Sequence, residues 1–239
     1  MNIQKIGIIG AGTMGGGIAQ VAAQSGYEVV LKDVSEEYVR AGFEKIKERL
    51  AKRVGEGKLE NHEKDRILSN IKTTASLKDC KDADLIIEAV IEKEDIKKQI
   101  FKEMDILCDK ETLFATNTSS ISITRLASIT KRPEQFAGMH FMNPVYIMKL
   151  VEVVKGLATS EETVSVITAV AQKMGKIPVV VNDSPGFVTN RVLMPMINDP
   201  IYCLHEGIAT KEGIDNIMKL GANHPMGPLE LADFIGLDT

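Results

Sequence analysis

The run Lys5-Ile-Gly-Ile-Ile-Gly10-Ala-Gly12-Thr-Met-Gly15 constrains what this chain can fold into more than any other segment. A short apolar strand ends on a glycine turn, and helical sequence begins at once near Met14. Gly10 permits the tight turn, Gly12 lets the backbone approach a pyrophosphate, and Gly15 lets the helix press onto the strand. The helix start then turns unpaired N–H groups and a positive dipole end toward the anion. A bare GxGxxG also occurs in ordinary strand-to-helix turns. What separates the two readings is a second apolar run, Tyr27-Glu-Val-Val-Leu-Lys-Asp33, whose terminal acid stands 23 positions after Gly10. That spacing suits a carboxylate that holds a ribose hydroxyl. Strand, turn, helix, strand and acid in this order predict a dinucleotide site. Asp33 would repel a 2′-phosphate and so favours NAD(H) over NADP(H), a preference that Lys32 partly offsets.

The 239 residues are 44% hydrophobic and 26% charged, enough for a sizeable core and part of a second one. A formal net charge of −4 provides no long-range attraction for nucleic acid or an anionic membrane, so neither is an expected partner. Cys80, Cys108 and Cys203 are widely spaced and odd in number, as reduced thiols of an intracellular protein would be. With no CxxC and no clustered histidines, no metal is expected. The first strand begins without a preceding signal segment, and no apolar run approaches membrane-spanning length, so the expectation is a soluble cytoplasmic protein.

Ser35 is placed to cap a long helix through Ala41, Phe43, Ile46 and Leu50, and a second charged helical stretch covers Asn61 to Ser69. Together they predict a helical hairpin inserted into the sheet. The apolar segments Ile71-Thr74, Leu85-Ala89, Leu113-Thr116 and Phe136-His140 read as strands, with the helix Asp95-Leu107 between two of them. Lys149-Val154, a helix from Ser160 to Met174, and Ile177-Val181 would extend the same sheet. At Asn182-Asp-Ser-Pro-Gly186 the grammar becomes helical: Phe187 to Gly207, Lys211 to Leu220 and Gly227 to Ile235, with Gly207, Gly221 and Gly236 as stops. Asp199-Pro200 falls inside the first of these helices and predicts a kink near Asn198. The reading is an α/β chain: a Rossmann-type doubly wound, mostly parallel sheet over residues 1–183 with an inserted helical hairpin, then a small all-α domain over 184–239. So short a helical domain buries little by itself; it either leans on a partner subunit or is incomplete.

Polar residues gather at or just past strand ends, where an open parallel sheet binds ligands. They are Asn117-Thr-Ser119-Ser120, His140, Glu152 and, beyond the sheet, Asn190. Five blocks carry a specific resemblance: Thr116-Asn-Thr-Ser-Ser-Ile-Ser-Ile, Gly138-Met-His-Phe-Met-Asn-Pro-Val, Met148-Lys-Leu-Val-Glu-Val-Val, Ser184-Pro-Gly-Phe-Val-Thr-Asn-Arg and Lys219-Leu-Gly-Ala-Asn-His-Pro-Met-Gly-Pro-Leu-Glu-Leu. In that order they resemble the 3-hydroxyacyl-CoA dehydrogenase family, most of all its stand-alone bacterial members acting on 3-hydroxybutyryl-CoA.

The resemblance implies His140 as general acid/base, Glu152 as its orienting carboxylate, and Ser119 and Asn190 as groups that hydrogen-bond the substrate oxygen and the histidine. The chemistry suits these residue types. Oxidation of a secondary alcohol requires removal of the O–H proton as hydride leaves carbon, and an imidazole titrates near neutral pH. A nearby carboxylate selects the tautomer and stabilises the imidazolium that forms. From the residues alone other readings stand beside these: His140 as a structural histidine, Glu152 as the outward position of an alternating strand, Ser119 as the N-cap of the stretch from Ser120 to Ala127, and Asn190 as a helix-surface residue. A carboxylate buried alone in Leu150-Val-Glu-Val-Val would be costly, and a partner such as His140 removes that cost.

For the cofactor the resemblance adds Glu92, Lys97 and Asn117 near the nicotinamide ribose, and Asn143 in a ligand-side loop where Asn143-Pro144 otherwise reads as a turn. Glu92 to Asp95 reads equally as an acidic helix start. Arg49, Lys52, Arg53 and Lys58 are candidates for the CoA phosphates, with Lys52 retained; a solvated helix face is the other reading. Met142 and Tyr146 are candidates for the acyl pocket. The implied activity is the NAD-dependent interconversion of a short 3-hydroxyacyl-CoA and its 3-oxo thioester, in fatty acid and butyrate metabolism, by a homodimer joined through the helical domain. The alternatives are a dehydrogenase of a free 3-hydroxy acid and a non-enzymatic nucleotide-binding or structural relative.

Overall fold

The computed structural model describes residues 1–236, which separate into two units, Met1–Pro185 and Gly186 onward. The first unit is built on one eight-stranded sheet. Its strands are β1 (Lys5–Ile9), β2 (Glu28–Lys32), β3 (Ile71–Thr74), β4 (Leu85–Glu88), β5 (Leu113–Thr116), β6 (Phe136–Phe141), β7 (Leu150–Lys155) and β8 (Ile177–Asn182), in the spatial order β3-β2-β1-β4-β5-β6-β7-β8. The first six are parallel; β7 runs antiparallel to β6, and β8 is parallel to β7. The chain reverses its direction of winding between β3 and β4, so a crevice opens beyond the ends of β1 and β4, the ordinary ligand position of such sheets.

The helices of this unit are α1 (Thr13–Gln24), α2 (Glu36–Gly55), α3 (Asn61–Ser69), α4 (Glu94–Leu107), α5 (Ile123–Ala127) and α6 (Glu161–Lys173). Side-chain alternation divides the sheet into two faces. One face presents Ile6, Ile8, Val29, Leu31, Leu85, Ile87, Ala115, Ala137, Met139, Phe141, Val151 and Val153 to a core completed by residues of α1, α2 and α6. On the other face α4 inserts Phe101 between Phe114 of β5 and Phe136 of β6, with ring centroids 5.7 and 4.6 Å away. By the same alternation Glu88, Thr116, His140 and Glu152 point to this second face. The predicted cap is present at Ser35, whose hydroxyl accepts the Tyr38 amide, and Ser160 caps α6 by accepting the Thr163 amide. The N-cap of α5 is Ser122, which accepts the Arg125 amide; Ser119 does not serve as the cap.

The second unit comprises α7 (Thr189–His205), α8 (Lys211–Gly221) and α9 (Pro228–Ile235). Helix α7 runs through both Pro195 and Pro200. Asp215 of α8 accepts the amides of Leu229 and Glu230, satisfying the orphan donors at the start of α9. Gly207 and Gly236 end their helices at positive φ, as predicted, but after α8 the left-handed residue is Asn223 (φ +56), not Gly221. Asparagine tolerates that region better than other side chains do.

Candidate active site

The glycine turn has the shape its sequence predicts. Gly10 sits at φ +108, and a Cβ there would come within 2.5 Å of the Ala89 carbonyl oxygen of the strand next door. At Gly15 a Cβ would lie 1.8 Å from the Gly10 carbonyl oxygen, so the first turn of α1 can rest on the loop only without one. Gly12 differs: a Cβ there would meet nothing within 4 Å. That leaves open space beside the exposed helix start, which Thr13 and Met14 form, and the backbone N–H groups of such a start suit an anion. Asp33 closes the site. Its Oδ2 accepts the Ala11 amide at 2.6 Å and its Oδ1 accepts the Val34 amide at 2.6 Å, so the carboxylate is oriented with lone pairs remaining for ribose hydroxyls.

His140 and Glu152 are direct cross-strand partners in the β6–β7 ladder. Their side chains meet, His140 Nδ1 donating to Glu152 Oε2 at 2.8 Å, with the residues 7% and 2% exposed. The carboxylate of Glu152 is therefore neither outward-facing nor alone. A carboxylate at that distance orients the ring and favours the tautomer with its proton on Nδ1.

Glu92 lies ahead of α4 and is not part of a helix start. Its Oε1 accepts the Thr118 hydroxyl, the Ser119 amide at 2.9 Å, the Ser120 hydroxyl at 3.1 Å and the Ser120 amide at 3.3 Å. Burial would raise this carboxyl, but the Thr118 bond and the Lys97 charge outweigh it and hold the group below its ordinary value. Lys97, expected beside the ribose, is 1% exposed, and its ammonium is shared between Glu88 at 2.7 Å and Glu92 at 3.1 Å. Glu88 completes the network by accepting the Thr116 hydroxyl at 2.6 Å; burial pushes its carboxyl up in spite of Lys97. Sequence reading passed over Glu88, although an acid ending the apolar run Leu85-Ile-Ile-Glu88, nine residues before a lysine, was a usable signal. Asn117 spans the gap to the histidine: its amide donates to the Glu88 carbonyl and its Oδ1 accepts the Phe141 amide at 2.9 Å, one residue after His140. Ser119 and His140 thus stand on neighbouring strand ends tied together by Asn117.

The basic residues of the helical hairpin divide. Arg49 is half-buried, donates to Gln20 Oε1 at 2.9 Å and lies over the Tyr146 ring, which makes it a tether and not a free cation. Lys58 pairs with Glu56 at 2.8 Å, whereas Lys52 is exposed with Glu56 only at 4.0 Å. Asn143 is exposed in the loop after β6, and Asn190 occupies the first turn of α7 in the second unit. Among the described residues no group of acids, histidines and cysteines is arranged to hold a metal, and no helix is long and apolar enough to cross a membrane.

Comparison with known proteins accounts for the whole chain. Residues 5–184 match the model of the 3-hydroxyacyl-CoA dehydrogenase NAD binding domain, and residues 186–239 that of the C-terminal domain of the same family. The chain is 52% identical over 239 residues to a protein of Bacillus subtilis (strain 168) named "Probable 3-hydroxybutyryl-CoA dehydrogenase", covering all of this chain and 83% of that one. It is 51% identical to a 3-hydroxybutyryl-CoA dehydrogenase of Bradyrhizobium diazoefficiens, covering 99% and 81%. Among solved structures, the (S)-3-hydroxybutyryl-CoA dehydrogenase of Ralstonia eutropha superimposes with a TM-score of 0.97 at 47% identity, covering 100% of this chain and 84% of that one. The cofactor indicated by the matched binding domain is NAD, in agreement with Asp33. Agreement of this extent, in both parts of the chain and in fold as well as sequence, means that the chain belongs to the 3-hydroxyacyl-CoA dehydrogenase family.

Proposed function

We propose that the chain interconverts a short (S)-3-hydroxyacyl-CoA, 3-hydroxybutyryl-CoA, and its 3-oxo thioester acetoacetyl-CoA, with His140 as the proton carrier. The observation that carries this reading is the buried contact between His140 Nδ1 and Glu152 Oε2 at 2.8 Å. In the oxidative direction the second imidazole nitrogen takes the proton of the substrate's 3-hydroxyl as the C–H bond to C3 breaks. NAD, when bound, accepts the hydride and in the reverse direction NADH returns it. Glu152 then faces an imidazolium whose charge it offsets, and the same nitrogen gives the proton back in reduction.

Ser119 holds the 3-oxygen by a group that does not titrate, so the substrate stays in register as charge moves. Glu92 fixes the backbone that carries Ser119, and Lys97 fixes Glu92. Gly10, Gly12, Thr13, Met14, Gly15 and Asp33 hold the adenosine diphosphate half of the cofactor, while Glu92, Asn117 and Asn143 stand toward its nicotinamide half. Lys52, an exposed cation in the last turn of α2, meets a phosphate of the CoA tail. The helical unit is the surface through which two copies of the chain associate, and the protein works in the cytoplasm.

The test follows NADH absorbance with acetoacetyl-CoA and with free acetoacetate. Rapid turnover confined to the thioester is expected; turnover of the free acid, or of neither, overturns the reading. In His140→Gln, kcat is expected to fall by about 10²–10⁴-fold while NADH still binds. Persistent turnover would remove His140 from the reaction.

A further inference from the structure

The lysine just ahead of β8 has no part in the chemistry described so far. Lys176 is 8% exposed, and burial alone holds its ammonium below the ordinary lysine range. Its hydrogen bonds go to main-chain carbonyls, one of Val145 and, at 2.9 Å, one of Met148. A buried ammonium is costly unless its partners repay the lost hydration, and an apolar side chain would fill the same volume without that cost. The two carbonyls it grips are what offset that cost.

They belong to the segment that joins β6 to β7, between His140 and Glu152. The segment folds back on itself, the amides of Ile147 and Met148 both donating to the Pro144 carbonyl at 2.9 Å. Val145 is 2% exposed and packs on α1, where a Cβ on Gly17 would lie 2.8 Å from the Val145 Cβ. Tyr146 lies under the Arg49 guanidinium, which is itself bonded to Gln20 of α1. The segment thus rests on the helix whose start forms the cofactor turn. Lys176 is a rigid post for it. Gly175 turns the chain at φ +73 after α6, the Lys176 amide donates to the Ala171 carbonyl at 3.0 Å, and the Ile177 amide donates to the Lys149 carbonyl at 2.8 Å.

We propose that Lys176 is a positioning residue for the reaction: its ammonium clamps the Val145–Met148 turn onto α1 and so fixes Met142 and Asn143 relative to His140 and the cofactor turn. This rests on the reading of that loop as the ligand side of the site. Because the strand register holds His140 against Glu152 independently, loss of the clamp weakens binding more than it slows the chemical step.

The experiment compares wild type, Lys176→Met, which keeps the apolar stem and loses the donors, and Lys176→Arg, which keeps the charge and donors. Initial rates with NADH and acetoacetyl-CoA are read together with hydrogen exchange of residues 143–148. In Lys176→Met both KM values are expected to rise about tenfold while kcat stays within about threefold, and the segment exchanges faster. Lys176→Arg is expected to recover both readouts to within about threefold of wild type. Unchanged KM values with a protected segment overturn the clamp, as does a fall in kcat as large as the fall in kcat/KM. If Lys176→Met does not fold, Lys176→Gln is judged by the same two readouts. A wild-type chain that reduces neither thioester nor free acid overturns the proposed reaction, and the exchange comparison then decides the clamp by itself.

Discussion

The substitution Glu152→Gln tests the carboxylate's charge while leaving its shape. The amide oxygen of the new side chain can still accept the Nδ1 proton, so the ring orientation survives and only the electrostatic part of the contact goes. At 2.8 Å, with the two residues 7% and 2% exposed, solvent screens this contact little. A hydrogen bond to a charged partner exceeds a neutral one by about 1–1.5 kcal/mol, which sets the smaller bound on the loss. The larger bound is the attraction between the carboxylate and the imidazolium formed during reaction, about 4 kcal/mol for unit charges about 4 Å apart at an effective dielectric of about 20. These bounds correspond to a fall in kcat of about 10-fold to about 10³-fold. The assay is NADH-linked turnover of acetoacetyl-CoA, with NADH affinity measured separately by fluorescence titration. A kcat within twofold of wild type, a difference of about 0.4 kcal/mol or less, would refute the electrostatic role of Glu152. So would a loss of NADH affinity that matched the loss of kcat, since the pair would then be supporting structure and not proton transfer.

Gly12→Ala and Gly15→Ala are expected to separate binding from folding. The added Cβ at residue 12 meets nothing within 4 Å, so the melting temperature holds while NADH affinity falls; at residue 15 it meets the Gly10 carbonyl oxygen at 1.8 Å, so both fall, as melting curves and NADH titration will show. For Glu92, whose folded carboxyl lies below its ordinary value, the sign is that of a depressed acid. Its contribution is complete above the unfolded carboxyl's pKa and is lost as pH falls through the folded one, so wild type and Glu92→Gln should differ most in melting temperature near neutrality and converge in acid. Asp33→Ser removes the negative charge that opposes a 2′-phosphate, and the ratio of kcat/KM for NADH over that for NADPH is expected to fall; an unchanged ratio would place cofactor selection elsewhere.

Much of the sheet was legible because its central strands β4, β5 and β6 are buried on both faces and so appear as short apolar runs bounded by polar or glycine residues. Ile71–Thr74 and Leu113–Thr116 are strands over the predicted residues, and Asn61–Ser69 is a helix over the predicted span. Direction was not legible. Nothing in Lys149-Val154 says that β7 runs against β6, and only that reversal sets His140 opposite Glu152. The resemblance named both residues; the register explains why they touch. Glu88, Lys97 and Glu92 were obscured for a different reason. Charges before and within a helix have the composition of a solvated face, and only the folded chain shows that one lysine neutralises two acids. Arg49 misled in the same way, since an arginine on a charged helix resembles a phosphate ligand until its guanidinium is found on Gln20 and Tyr146.

The imidazole and its acid occupy opposed rungs of one antiparallel ladder, so their spacing is inherited from the sheet's own geometry and owes nothing to the surrounding loops. In the proposed reaction, loops can then drift, lengthen or change sequence to admit a different thioester while the path of the proton stays intact. Insertion of one residue into either strand would have the opposite effect: it would turn one partner to the far face of the sheet and extinguish turnover in a single step, with no intermediate activity for selection to refine.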